Sequence, residues 1–191
     1  MKNKKALMIY APVAGLVVLF CLYMIFSGKV SLSMNGFAVD KDECLYIGKE
    51  YTIEVYKNDE LLRTINPQTS RAYIFTILNG DTILLSTSTK VYTMDLYGNV
   101  LSEKEDDMTK VYNDLQKAKK EFVAVNGEKY HLQNTFGRTY IIKDSNVIYE
   151  MPLLDYIVLI MLVLTFISLW SFVFIMVLSK KQSLNDSVID G

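Results

Sequence analysis

Two long apolar runs bracket a central region in which apolar and polar residues alternate over short distances. The first run, Ala6–Phe26, holds 21 residues without a charge, and the second, Leu153–Leu178, holds no charge after Asp155. About 20 apolar residues in a helix cross the hydrocarbon core of a bilayer, since each residue adds about 1.5 Å. The pattern therefore predicts two membrane-spanning helices, over residues 6–26 and 153–178.

The first run shares its basic, then apolar, pattern with cleaved signal peptides. The apolar part of a signal peptide is about 7–15 residues long and ends at small residues. This run is longer and ends in Met24, Ile25 and Phe26, and Phe20 before Cys21 does not fit a lipoprotein cleavage site. We therefore expect the run to stay in the protein as a membrane helix.

Lysines lie at the outer flank of each apolar run, at positions 2, 4 and 5 and at positions 180 and 181. Cytoplasmic flanks of membrane helices carry the excess of Lys and Arg. Both chain ends, 1–5 and 179–191, are therefore predicted to lie in the cytosol, and residues 27–152 outside a plasma membrane. The whole chain has 17 Lys and 3 Arg, and its outer segment contains no Asn-x-Ser/Thr; this composition favours a bacterial envelope protein.

The central region aligns with itself three times without a gap, as Asp40–Thr64, Asn79–Glu103 and Asn126–Glu150. The second unit is displaced by 39 residues and the third by a further 47. Each unit begins at a turn, which is Asn-Gly in the second and third, and a second turn of Asn, Asp, Gly or Ser recurs near its end. The repeat predicts one supersecondary structure used three times.

Four short runs rich in β-branched, aromatic and aliphatic residues surround the turns of each unit. The predicted strands are 37–39, 44–47, 52–56 and 61–65; then 73–78, 82–85, 91–94 and 100–101; then 122–125, 129–132, 139–142 and 147–149. Turn-forming residues interrupt every run within about six residues, which excludes helices here. The pattern predicts an antiparallel meander in each of the units 37–65, 73–103 and 122–151.

The recurring Asn-Gly, the apolar pairs and the closing Val-Leu or Val-Ile resemble the generic blade repeat of NHL- and YWTD-like β-propellers, over Phe37–Met151. The resemblance implies an all-β domain of three propeller-blade-like repeats. Propellers usually have at least four blades. The three units would therefore stay open, close with a second copy, or close with a partner protein. We favour a compact domain with covered edges, since unpaired edges aggregate.

The longer spacing before the third unit inserts eight residues within Glu103–Glu121. Apolar residues recur there at helical spacing, and acidic residues precede basic ones, which suits the helix dipole. This predicts an amphipathic helix over about 105–120 that covers an edge of the β-domain. As the alternative, its apolar face binds a partner or lipid headgroups through Met108, Val111, Tyr112 and Leu115.

Charge and cysteine content exclude several function classes. The outer segment carries 15 Lys and Arg against 18 Asp and Glu, a net charge of 15 − 18 = −3, with no basic patch for nucleic acid. Cys44 is alone in that segment, so a disulfide within it is excluded. We expect Cys44 to be a buried strand residue; a disulfide between two chains is the alternative.

Motifs for nucleotides, zinc or other cofactors are absent, and we expect no catalytic, cofactor or metal residue. His131 occupies the repeat position of Leu45 and Leu84, which favours a strand residue over a ligand. The carboxylates within Asp40–Glu43 favour a solvated turn over a calcium site. The hydroxyls of Ser86–Thr89 beside Lys90 favour a turn over a Ser–Lys hydrolase.

The apolar runs contain no deep ionisable residue that would mark a transport path. Ala11 and Gly15, four residues apart, form a small-residue pair that would let two helices approach closely. The sequence therefore favours a non-enzymatic, two-pass accessory protein that presents its β-domain to another envelope protein, a ligand or a second copy. The alternatives are a sensor subunit with a cytoplasmic partner and, less favoured, a hydrolase using Ser88, Lys90 or His131.

Overall fold

The computed structural model describes residues 2–67, 73–105 and 108–189. The chain divides into two compact units. One unit comprises residues 1–30 and 154–191 and contains two helices, α1 (Lys2–Phe26) and α3 (Leu153–Ile189). The other unit, residues 31–153, contains all strands of the described chain and is called the β-domain below.

Three separate four-stranded antiparallel sheets make up the described part of the β-domain, and the strands of each sheet follow one another in chain order. The first sheet contains β1 (Gly36–Val39), β2 (Leu45–Gly48), β3 (Ile53–Lys57) and β4 (Glu60–Ile65). The second contains β5 (Tyr73–Leu78), β6 (Thr82–Thr87), β7 (Val91–Asp95) and β8 (Val100–Lys104). The third contains β9 (Glu121–Val123), β10 (Lys129–Thr135), β11 (Arg138–Lys143) and β12 (Asn146–Glu150).

Each predicted strand segment overlaps one of these strands, so the predicted antiparallel meander is confirmed. The turns explain the agreement. Asn79 and Gly80, two of the three residues between the paired Leu78 and Thr82, have φ of 53° and 74°, in the left-handed region that Asn and Gly tolerate. Asp144 and Ser145 have φ of 47° and 74°. Residues that tolerate this backbone region fix where each hairpin turns.

A β-bulge recurs at one repeat position in all three sheets. Between the third and fourth strands, the pairing skips Leu62 in the first sheet, Leu101 in the second and Ile148 in the third. These residues are 39 and 47 apart, as the repeat requires. A bulge bends an edge strand and strengthens its twist, which protects the edge from pairing with other chains.

The inner strands of the sheets meet in one hydrophobic core, because β1 contacts both β5 and β9. Fully buried side chains there include Phe37, Tyr46, Ile47, Ile53, Phe75, Ile83, Leu85, Met94 and Ile141. The first hairpins of the units also converge, since the Lys41 N–H donates to the Gly80 carbonyl at 3.0 Å. The described residues form no closed barrel or propeller, which the low number of sheets explains, because closure usually takes at least four blades.

The contact between the first and second sheets, called the first–second junction, is tightly packed. A Cβ added to Gly48 would lie 2.8 Å from the Phe75 ring, so only glycine fits there. Arg63 donates to the Tyr46 hydroxyl at 2.8 Å and to the Leu96 carbonyl at 3.2 Å, and its guanidinium lies 4.8 Å from the Tyr97 ring centroid. Packing and a cationic clamp therefore join these two sheets.

The predicted helix of the β-domain is α2, Met108–Ala118; residues 106 and 107 of the prediction lie outside the described residues. It contacts β5, β6 and β9, near the insertion point that the repeat spacing indicates. Leu115 is buried, and this burial fixes which face of the amphipathic helix packs on the sheets.

Among the described residues, one helix is long and apolar enough to cross a membrane: Leu153–Ile175, with a mean hydropathy of 2.7. The predicted first span, 6–26, lies in α1, but its described apolar part is the shorter Pro12–Phe26. Fifteen residues rise about 22 Å, less than the ~30 Å hydrocarbon core. The prediction of two spans is therefore not confirmed: among the described residues, 153–175 of the predicted 153–178 supports one span, and α3 continues beyond it to Ile189.

Candidate functional site

A groove lies between the first and third sheets of the β-domain. It encloses about 490 Å³, within the range of roughly 300–1,000 Å³ that is usual for ligand sites. The first sheet contributes Val39, Glu43, Leu45, Tyr56, Lys57, Asn58 and Asp59; the third contributes Tyr130, Lys143, Val147, Ile148, Tyr149 and Glu150, and Pro152 follows it.

The floor of the groove is apolar and its rim is charged. Val39, Leu45 and Tyr130 are buried, whereas Glu43, Lys57, Asn58 and Asp59 are exposed. The exposed residues belong to the two turns at one end of the first sheet, 40–43 and 58–59, and to the end of β3. Turns place polar side chains in solvent while the strands they join supply the floor.

One wall is formed by Tyr149 of β12, which connects the third sheet to the first. Its hydroxyl accepts a hydrogen bond from the Lys49 ammonium at 3.0 Å, and its ring lies 5.9 Å from the Tyr56 ring between centroids. Lys49 is buried and also lies 3.8 Å from the Glu54 carboxylate. The buried ammonium therefore holds the two sheets at a fixed separation beside the groove.

The other wall contains Tyr130 and Lys143 of the third sheet, and Glu128, which precedes β10, contacts both of them. Lys143 lies 2.7 Å from the Glu128 carboxylate, which also accepts the Tyr130 hydroxyl at 2.9 Å. Hydrogen bonding to Lys143 and then Tyr130 lowers the pKa of Glu128, and the same carboxylate raises the pKa of Lys143. Burial, with the hydrogen bond to Glu128, raises the pKa of Tyr130 to about 12.

These pKa shifts determine which groups of this wall carry a charge. A general acid or base works best with a pKa near the operating pH. The shifts keep Glu128 and Lys143 charged and Tyr130 uncharged, because each of the three pKa values is moved further from neutral pH. The arrangement provides fixed charges, hydrogen-bonding groups and an apolar floor.

The fourth strands of the first and third sheets each supply a residue that bridges to a neighbouring sheet. Arg63 and Tyr149 occupy the same repeat position, directly after the bulge, and each reaches the adjacent sheet. Sequence analysis did not single out these residues or Lys49. The alignment of the three units did contain a sign of this role. The same repeat position holds Arg63, Ser102 and Tyr149, and each of them directly follows an apolar residue.

The predicted partner-binding residues of α2 do not lie on one exposed face. Leu115 is buried, Val111 is half-buried and Tyr112 is exposed, while the Met108 side chain lies outside the described residues. Leu115 is therefore occupied inside the domain. Binding through the outer face of α2, around Tyr112, stays a prediction.

The predicted helix-packing pair lies in α1. Gly15 is exposed, with no atom within 4 Å of a Cβ built there, and the neighbouring Ala14 is buried instead. The Ala11 side chain lies outside the described residues. Close helix approach at Ala11 and Gly15 stays a prediction.

The hydroxyl-rich segment before Lys90 forms a turn. Thr87 accepts from the Lys90 N–H at 3.0 Å and donates to the Lys90 carbonyl at 3.1 Å, and Ser86 is buried. The Lys90 ammonium contacts the Glu103 carboxylate, which raises the pKa of Lys90. A Ser–Lys hydrolase needs a neutral lysine, so this pairing disfavours such chemistry at Ser88.

The carboxylate of Asp40 organises the first hairpin. It accepts hydrogen bonds from the N–H groups of Asp42 and Cys44 at 2.9 and 2.8 Å, and from the Tyr46 hydroxyl at 3.1 Å. Cys44 is a free, buried thiol one residue before β2. Within the described part of the chain, no three His, Cys, Asp or Glu side chains are grouped to hold a metal.

His131 lies on β10, opposite Glu121 of β9 and Ile142 of β11. It is exposed, whereas Leu45 at the same repeat position is buried. With Glu121, Phe122 and Lys129 it lines a hollow of about 380 Å³. Its placement on a strand agrees with the predicted strand role.

No protein-family model and no curated protein matches this sequence. Among solved structures, the chain is similar to a crystal structure of a protein of unknown function from Bacteroides caccae, with 12% sequence identity and a TM-score of 0.29. The similarity covers 62% of this chain and 45% of that chain. This chain therefore spans less than half the length of that protein, and a TM-score this low does not establish a shared fold.

Proposed function

We propose that this protein is a membrane-anchored, non-enzymatic accessory protein of the bacterial envelope, with both chain ends in the cytosol. The apolar helix Leu153–Ile175 supports anchoring, and the flanking lysines support the orientation. The apolar α1 is the second span of this proposal. The β-domain would then face the outside of the plasma membrane.

The groove between the first and third sheets is the proposed site for an extracytoplasmic partner or ligand. This proposal rests on the groove itself, which has a volume of about 490 Å³, an apolar floor and a rim that carries charges of both signs. Buried apolar area supplies most of the affinity of such sites, while a few placed polar groups supply specificity. The charged rim residues Glu43, Lys57 and Asp59 suit the second role.

The three sheets are also proposed to be related repeats of the propeller-blade type. They share strand order, turn positions and the bulge at Leu62, Leu101 and Ile148. Each fourth strand leaves an outer edge that the bulge protects. In this proposal the domain functions with three blades, and the groove between the first and third sheets remains available.

Site-specific photo-crosslinking in the producing cells tests this function. Benzoylphenylalanine would replace Val147, which lines the groove, or Val100, which occupies the same repeat position in the second sheet. The two residues are matched, with 57% and 54% of their surfaces exposed. A third position, Tyr112, tests the outer face of α2. We expect a defined adduct at Val147 and none at Val100.

Equal adducts at both positions, or none at Val147, would contradict the groove as the binding site. Orientation is tested separately with a membrane-impermeant maleimide, because Cys21 and Cys44 are both buried and give little background. Ser88→Cys is expected to react in intact cells, and Asn185→Cys only after permeabilisation. Reaction of Asn185→Cys in intact cells would reverse the proposed topology.

A further inference from the structure

The tyrosine rings of the groove are already in contact with other groups. Lys49 lies 5.7 Å from the Tyr149 ring centroid, and Lys143 lies 5.7 Å from that of Tyr130. Tyr56 packs against Tyr149 at 5.9 Å. A ligand that stacks flat on an aromatic face, as sugars do, therefore finds these faces partly covered. The accessible apolar surface is aliphatic, from Leu45, Val147 and Ile148.

The charges on the rim are unequal once the paired groups are set aside. Lys143 is paired with Glu128, and Glu150 is paired with Arg138 at 2.9 Å. The rim then presents Glu43, Asp59 and Lys57, two negative charges and one positive. A ligand with a cation next to an apolar group complements this distribution better than an anionic one.

Strand addition is disfavoured at β12, although this strand lies at the edge of its sheet. The bulge at Ile148 places two residues opposite one partner, so a straight strand cannot continue the ladder. The unpaired Ile148 and the preceding Val147 both line the groove. A bound chain would therefore be recognised through its side chains, with an apolar one entering between β12 and the first sheet.

We propose that the groove binds an extended peptide segment of an extracytoplasmic protein, in which an aliphatic side chain is followed or preceded by Lys or Arg. This proposal rests on the proposed function, because it names the ligand of the same groove. The aliphatic side chain covers Leu45 and Val147, and the cation lies between Glu43 and Asp59.

Selection of phage-displayed random linear peptides on the full-length chain in lipid nanodiscs tests the proposal. The chain is used as wild type, as Val147→Arg and as the matched Val100→Arg. Synthetic copies of the enriched peptides are then titrated against each by fluorescence anisotropy. We expect enriched peptides with an aliphatic residue beside Lys or Arg, and a Kd about tenfold higher for Val147→Arg. Val100→Arg should change the Kd less than about twofold.

A second variant tests the charge complementarity. The double variant Glu43→Gln with Asp59→Asn removes both negative charges. Gln and Asn adopt the positive φ of 61° and 66° at an energetic cost similar to that of the original residues. It should raise the Kd about threefold at low salt and less at high salt. Peptides that bind Val147→Arg as well as wild type, the absence of any enriched peptide, or selective binding of a glycan array would overturn the peptide proposal. A photo-crosslinked adduct at Val147 in cells would still support the groove as the binding site in that case. The peptide proposal and the proposed function can therefore fail separately.

Discussion

The first sheet packs against both the second and the third, but the space between the sheets is filled to different extents. At the first–second junction, Phe75 lies against Gly36 and Gly48, and Arg63 donates across the contact to the Leu96 carbonyl. At the first–third junction, Phe37 meets Phe122 edge-on at 6.4 Å and Tyr149 meets Lys49, while a groove of about 490 Å³ stays open beside them.

The difference separates stabilising contacts from binding surface. Filled apolar contacts contribute roughly 25 cal/mol for each Å² removed from water, so the first–second junction supplies more of the folding free energy. An open groove keeps apolar surface in water and leaves that free energy for a ligand. One repeat thus forms two kinds of junction with residues from the same columns.

The largest effect is expected at a pair of buried phenylalanines. Phe75 of β5 and Phe122 of β9 lie on the first strands of their sheets, one at each junction, and are 1% and 8% exposed. Phe75→Ala should lower the unfolding free energy by about 3–5 kcal/mol, because it leaves a cavity against two glycines. Phe122→Ala should cost at least about 1 kcal/mol less. Urea unfolding followed by circular dichroism measures both; equal losses would erase the proposed contrast.

A smaller effect is expected at the cationic clamp. Arg63→Met removes hydrogen bonds to the Tyr46 hydroxyl and the Leu96 carbonyl, at a cost of about 1.5–3 kcal/mol. Arg138 of the third sheet is the control, because its bonds to the Met151 carbonyl are 3.4 Å long and its partner Glu150 is exposed. Arg138→Met should cost less than about 1 kcal/mol. The opposite order in the same unfolding assay would show that the clamp does not hold the first–second junction.

Overpacking tests the same junction from the other direction. Gly48→Ala places a Cβ 2.8 Å from the Phe75 ring and 3.2 Å from the Asn35 Cβ. The expected loss is about 1–3 kcal/mol in thermal or urea unfolding. Gly48→Ala combined with Phe75→Leu should lose less than the sum of the two single variants, since the smaller side chain makes room. Additive losses would mean that Gly48 and Phe75 do not share this space.

The smallest effect is expected in the fall of the unfolding free energy at alkaline pH. The pKa of Tyr130 is raised from 10 to about 12, so the folded state holds the phenol proton more tightly than the unfolded state. This stabilisation is complete below about pH 10 and is lost as the pH rises toward 12. Tyr130→Phe should flatten part of that decline. Part should remain, because burial also raises the pKa of Tyr46 and Tyr73.

Unfolding midpoints between pH 9 and 12 measure this effect. Tyr97→Phe is the control, since Tyr97 is 72% exposed and its phenol should contribute little. An unchanged decline of stability in Tyr130→Phe would contradict the arrangement in which the buried Tyr130 hydroxyl donates to Glu128 beside Lys143.

Local structure could be predicted from the sequence because turn residues carry it. Asn79 with Gly80, and Asp144 with Ser145, adopt the positive φ values that their types favour, and the strands between them follow. The inserted helix followed from the change in spacing from 39 to 47. These features depend on neighbours along the chain.

The groove and the two junctions could not be predicted, because they depend on how the sheets approach one another. Lys49 gave no sequence indication that its ammonium would be buried against Tyr149, 100 positions away. The bulge at Leu62, Leu101 and Ile148 was also not predicted, since two consecutive apolar residues give the same sequence pattern with or without a bulge. The number of spans depended on run length alone, and the described apolar part of α1, Pro12–Phe26, is shorter than a membrane span requires.

Hydrogen exchange of the full-length chain in nanodiscs, read by mass spectrometry, compares the two junctions most directly. β5 and β12 each lie at the end of a sheet and are paired on one side, but β5 is buried at the first–second junction whereas β12 is more exposed and borders the groove. The account predicts that amides of β5 exchange only through global unfolding, whereas those of β12 open locally and slow when a groove ligand is bound. Exchange of β12 as slow as that of β5 without ligand would contradict it.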